Sequence, residues 1–210
     1  MKIGCVVIPD PAGTFDADQW EKWFTRERWC GGEHPDRAAA LVMHIMNGIR
    51  YVRDKVIGAG FTTFKQPPLA IVKERPPHCR DSFGSYLPRS NVIAVSPRRL
   101  REYSAFPFDE IVSSTRDDIS VVSMRATAPA YALLLGVEEC HHGVYRQVHG
   151  VQPLPANTDQ LSGTEYDALD HEFEALGFQI MAAKEYNLHE VTQAVLVQRW
   201  IAAEALRQRS

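Results

Sequence analysis

Apolar positions along this chain fall into brief clean runs and longer periodic stretches, and the two kinds predict different elements. Residues 2–8 (KIGCVVI), 69–73 (LAIVK) and 91–96 (NVIAVS) are short β-branched runs stopped by proline or charge, and predict buried strands. Leu41, Ile45, Ile49, Val52 and Val56 recur near helical spacing. They predict a long helix capped by Asp36, running to about Ile57 and ended by Gly58-Ala-Gly60. His44 lies on or beside that stripe and is expected as a core histidine bonded to a carbonyl. An earlier helix, capped by Asp16 or Asp18, is expected through Trp29, with a loop over 29–35. Residues 78–90 hold aromatics, glycine and proline without a period and predict an ordered loop. Arg98 to Arg101 reads as the solvated start of a helix, and 104–128 as a short helix or loop with a cap at Asp117-Asp118.

The stretch 127–147, TAPAYALLLGVEECHHGVYRQ, predicts a helix running through the core. Pro129 suits the first helical turn, where its missing N–H is no loss, and 130–137 is almost wholly apolar. Further on, Ser162-Gly-Thr-Glu165 fits a capping box. Tyr166, Leu169, Phe173, Leu176, Ile180 and Ala183 then carry the helical period to about Tyr186, and 189–206 predicts a last amphipathic helix. Few strands among many helices predict an α+β fold, a small sheet packed against several helices, in one domain over 1–210.

Composition removes several function classes. The chain is 45% hydrophobic and 23% charged with a net charge of −3, so no positive surface advertises nucleic acid. Its longest apolar runs are too short to span a bilayer, and its start lacks the pattern of a signal peptide, which predicts a cytoplasmic protein. Cys5, Cys30, Cys79 and Cys140 are scattered with no C-x-x-C pair, as befits free thiols in a reducing compartment. Cys140 is expected as a small core residue and not a nucleophile.

Chemistry concentrates in Glu138-Glu139-Cys140-His141-His142. Glu138 and His142, four apart on a helix, have Cβ atoms roughly 5–6 Å apart and can reach one metal ion. Glu139 between them is placed to act as a base. The pattern resembles H-E-x-x-H of zincin-type metallopeptidases, with glutamate in place of the first histidine. His171-Glu172-Phe173-Glu174-Ala175 is similar to the E-x-x-A segment that supplies the third ligand in the gluzincin branch. The resemblance covers about residues 91–186 and leaves 1–90 unassigned; residues 91–96 would be the edge strand that aligns substrate.

This resemblance implies a zincin-like fold with a buried active-site helix, and one divalent metal held by Glu138, His142 and Glu172. His171 and Glu174 are reserve ligands. Glu139 would be the general base, and His141, Tyr145 or His149 the oxyanion stabiliser. The metal would be zinc, with a second carboxylate shifting preference towards manganese or iron. The implied substrate is a peptide or protein. The alternatives are a catalytically inactive zincin-like protein that binds a protein partner, and a carboxylate-rich iron protein. A metzincin site fits less well, because His149 lies seven residues after His142 where six are needed, with a glycine at the third. The overlapping E-x-x-H pairs suit a di-iron bundle, but only one such helix is present beside the strands.

Overall fold

The computed structural model describes residues 5–8, 22, 24–72, 82–116, 119–150 and 161–209. The described chain is α+β. Its order is β1 (Cys5–Ile8), α1 (Arg28–Gly31), α2 (Pro35–Gly58), β2 (Leu69–Val72), β3 (Gly84–Leu87), β4 (Val92–Val95), α3 (Pro97–Ser104), β5 (Ile111–Arg116), β6 (Ile119–Thr127), α4 (Ala128–His149), α5 (Gly163–Asp167), α6 (Asp170–Glu185) and α7 (Glu190–Arg207). None of the described helices is long and apolar enough to cross a membrane.

Four strands form one sheet in the order β1-β2-β4-β3. β1 and β3 run antiparallel to their neighbours, while β2 and β4 are parallel, with Leu69 opposite Ile93 and Ile71 opposite Val95. The strand expected at the edge, β4, is therefore interior, and β3 is the edge beside it. β3 was hidden within the expected loop 78–90 because Gly84-Ser-Tyr-Leu87 is too short to show alternation. A second correction concerns 104–128. Its second half forms the antiparallel hairpin β5–β6, so the strand leading into α4 is β6, not β4. β-branched residues on both arms of that hairpin outweigh the turn-like Asp117-Asp118, which lies outside the described residues.

Helices follow the pattern with shifted ends. α2 begins at Pro35 with His34 as its cap residue and no side-chain cap bond, so Asp36 sits inside the first turn. Half of the expected helix over 16–29 falls outside the described residues, both expected caps included; of the rest, 22, 24–26 and 28–29 are helical, and the loop over 29–35 begins with the helical turn α1. The single helix expected over 162–186 is two. Ser162 and Glu165 make the reciprocal capping box of α5, and the chain breaks at Ala168-Leu169 before α6. Residues 98–101 do start a helix, α3, whose Arg98 and Arg99 both bond Glu102.

The core lies between α2, α4 and the sheet. Ile45, Ile49 and Val52 of α2 meet Val137 and Cys140 of α4 and Ile71 and Ile93 of the sheet in one buried cluster. Cys30 and Cys140 are buried free thiols. His44 is half-buried and makes no hydrogen bond to a described residue, which corrects the expected carbonyl partner. Burial lowers its pKa from the ordinary imidazole value. The unfolded chain therefore takes up a proton here that the folded chain resists, and stability falls as pH drops below the ordinary value of 6.5. The expected result is that His44→Gln reduces the stability difference between pH 7.5 and pH 5 by up to about 1 kcal/mol, read from urea midpoints. An identical pH dependence in the variant would refute it.

Candidate metal centre

α4 can carry a site because all three of its sides are held. Thr127 Oγ1 accepts the Ala130 N–H at 3.3 Å, capping the helix, with Pro129 in its first turn. At its far end, the Gln147 amide exchanges two 2.8 Å hydrogen bonds with the backbone of Lys65. One side, with Gly136, Val137 and Cys140, faces α2, where Cys140 Sγ approaches Ile49 O at 3.6 Å. A second side, with Leu135, Glu139 and Gly143, faces β3 and Pro67. The third, with Leu134, Glu138, His141 and His142, faces α6. The 100° step between successive residues sends Glu138 and Glu139 to different neighbours.

On the third side Glu138, His142 and Glu172 each bring a ligand atom, all within 4.8 Å of one another. Glu172 is buried and the other two are partly accessible. Three donors from two helices at this spacing could hold a metal ion. His142 Nε2 lies 3.6 Å from Glu172 Oε1, too long for a hydrogen bond, and its Nδ1 is buried with no partner among the described residues. Nε2, the nitrogen turned to Glu172, is therefore free of a hydrogen bond among the described residues and could ligate an ion.

The charges fit as well. Burial and the neighbouring Glu172 carboxylate raise the Glu138 pKa against the opposing pull of Arg199 and Gln179. Burial also acts to raise Glu172, but His142 and His171, with hydrogen bonds from His171 and the Tyr166 hydroxyl, outweigh it and hold Glu172 low. Burial lowers His142, and burial together with His142 lowers His141 to about 3, so both rings are neutral near pH 7. Near pH 7 the group is thus a neutral imidazole, the Glu172 carboxylate and Glu138, pushed up to about 7, which would have to release its proton to bind a divalent cation.

The other expected residues are distributed around this group. Glu139 is not one of the donors: it is turned to β3, where its Oε2 accepts the Tyr86 amide. His141 is buried against Phe178, with Nε2 3.7 Å from Glu174 and Nδ1 unpartnered among the described residues. Glu174 faces solvent beside it and is not brought to the group. His171 stands behind Glu172, its Nε2 3.4 Å from Oε1, and acts on that carboxylate rather than replacing it. Tyr145 and His149 pack ring to ring at 4.4 Å, and Tyr145 lies 6.0 Å from His171, so they form a chain of rings towards His142.

Four neighbours of the site escaped the sequence pattern. Tyr166 falls on the apolar period of the expected helix, yet its hydroxyl bonds Glu172. Gln179 reaches Glu138 at 2.8 Å. Arg199 of α7 grips Asp167 of α5 with two bonds of 2.9 and 2.7 Å and also acts electrostatically on Glu138 and Glu172. Only the spacing of polar residues inside the apolar stripes of 166–199 could have signalled them. No family model, curated protein or solved structure matches this chain. Function is therefore argued from the site itself.

Proposed function

We propose that Glu138, His142 and Glu172 hold one divalent ion, zinc in the first instance, and that the chain hydrolyses peptide bonds in a peptide or protein substrate, as the zincin-type metallopeptidases it resembles do. The observation that carries this is the convergence of three donors from two helices, whose ligand atoms all lie within 4.8 Å of one another. A bound ion supplies Lewis acidity, polarising a carbonyl and making water a nucleophile near neutral pH. With two carboxylates to one imidazole the donor set also suits manganese or iron(II).

The chain's own groups then divide the work. Tyr166 and His171 orient Glu172. The resemblance assigns the general base to Glu139, which would take the proton from the attacking water and pass it to the leaving amine; its carboxylate lies on the β3 side of α4, so it would have to turn towards the α6 side where the three donors converge. The Tyr86 amide bonds Glu139 and fixes its carboxylate against β3. β3 is an edge of the four-stranded sheet, and it lies beside that base, which favours an extended peptide as substrate.

The test uses the whole chain, wild type and Glu139→Gln, with elemental analysis and cleavage of a fluorogenic peptide library. Wild type is expected to hold about one ion per chain and to cleave. Glu139→Gln is expected to keep its metal while cleavage falls roughly 10²–10⁴-fold. Undiminished cleavage in the variant would remove Glu139 from the mechanism. Metal in wild type without any cleavage would favour a binding protein on the same scaffold.

A further inference from the structure

Gln179 lies on the same side of α6 as Glu172, two turns further on, and is 2% exposed. Its side-chain nitrogen donates twice, to Leu134 O at 3.2 Å and to Glu138 Oε2 at 2.8 Å. Both partners can only accept. The amide oxygen in that place would face a carbonyl and a carboxylate, so the orientation of the amide is fixed by its surroundings. Leu134 is one turn before Glu138, and the amide therefore spans one turn of α4 and holds the glutamate side chain against it.

This arrangement has a coordination consequence. A carboxylate next to a divalent ion can bind through one oxygen or both. Here Oε2 is already engaged, and Oε1 has no hydrogen-bond partner among the described residues. We infer that Gln179 is a positioning residue that holds Glu138 as a one-oxygen ligand, and so sets the coordination number of the ion. The inference rests on the metal centre proposed above. It also explains how glutamate can stand where the resembled motif has histidine: a histidine binds through a single nitrogen, and the Gln179 amide restricts Glu138 to a single oxygen. A glutamate binding through both oxygens would occupy a position otherwise open to water or substrate.

The test is titration of the metal-free full chain with Co²⁺, reading affinity and visible absorption, which is strong at low coordination number and weak at high. The variants are Gln179→Met, which keeps the volume and removes the donor, Glu138→His, and the two combined. Wild type is expected to bind with strong absorption. Gln179→Met is expected to lose absorption severalfold and affinity roughly 10–100-fold, the usual effect of removing an outer partner of a ligand. In the Glu138→His background the same substitution is expected to change neither, since no second oxygen remains to be restrained. Equal spectra and affinities for wild type and Gln179→Met would overturn the inference while leaving the metal centre standing. Absence of Co²⁺ binding by wild type would overturn both. Should Gln179→Met fail to fold, Gln179→Asn, whose amide is one methylene short of Glu138, is read in the same way.

Discussion

Gly136→Ala is expected to lower the melting temperature by roughly 5–15 °C, corresponding to roughly 2–4 kcal/mol in a chain of this size. A Cβ built at Gly136 would lie 2.1 Å from Ile45 O, and one at Gly48 would lie 2.1 Å from Leu133 O. α2 and α4 thus cross with backbone against backbone, and no side chain can rotate away to make room. Relief requires the helices to separate, which opens the buried cluster of Ile45, Ile49, Val137 and Cys140. Helix propensity acts in the opposite direction, favouring alanine by about 1 kcal/mol, too little to offset the clash. Gly177→Ala in α6 is the control, because nothing lies within 4 Å of its built Cβ. It should stabilise the protein by up to about 1 kcal/mol. Scanning calorimetry of the two variants checks the pair. A Gly136→Ala protein as stable as wild type would mean the helices do not cross at these glycines.

The second large effect is on metal. His142→Ala removes one of three donors, and affinity should fall by more than about 100-fold, the upper end of what losing an outer-shell partner costs. Stability provides an independent readout. An ion present at 100 times its dissociation constant stabilises the fold by about 2.7 kcal/mol, which for wild type means a rise of roughly 5–11 °C. In His142→Ala that rise should vanish. A variant that keeps the full metal-dependent shift would show that the ion binds elsewhere.

How much of this was legible in the sequence differs from element to element. α4 announced itself through Pro129, the apolar run and the four-residue interval between Glu138 and His142. Glu172 was reachable through its motif. The final helix and the Ser162–Glu165 box are local signals and survive intact in the fold. What sequence could not convey is where each side of α4 points, since that depends on partners distant in the chain. Glu139 looks equivalent to Glu138 in a list of residues, but one step round the helix hands it to Tyr86 of β3. Gln179 and Arg199 read as interruptions of apolar stripes, and their value appears only once α6 and α7 fold back beside the site. The break at Ala168-Leu169 was masked because Tyr166, Leu169 and Phe173 keep the helical period across it, although Tyr166 serves Glu172 and not the core.

The three-sided grip on α4 has a kinetic consequence for the site. Its amides sit under α2, β3 and α6 at once and should exchange with solvent only when the whole core opens. α6 keeps one side, with Glu174, Met181 and Lys184, in solvent, and can detach in a smaller and more frequent opening. The two donors on α4 therefore belong to the slowest-opening part of the molecule and Glu172 to a faster one. An ion held among them would come and go at the pace of α6, well before the rest of the chain lets go of anything.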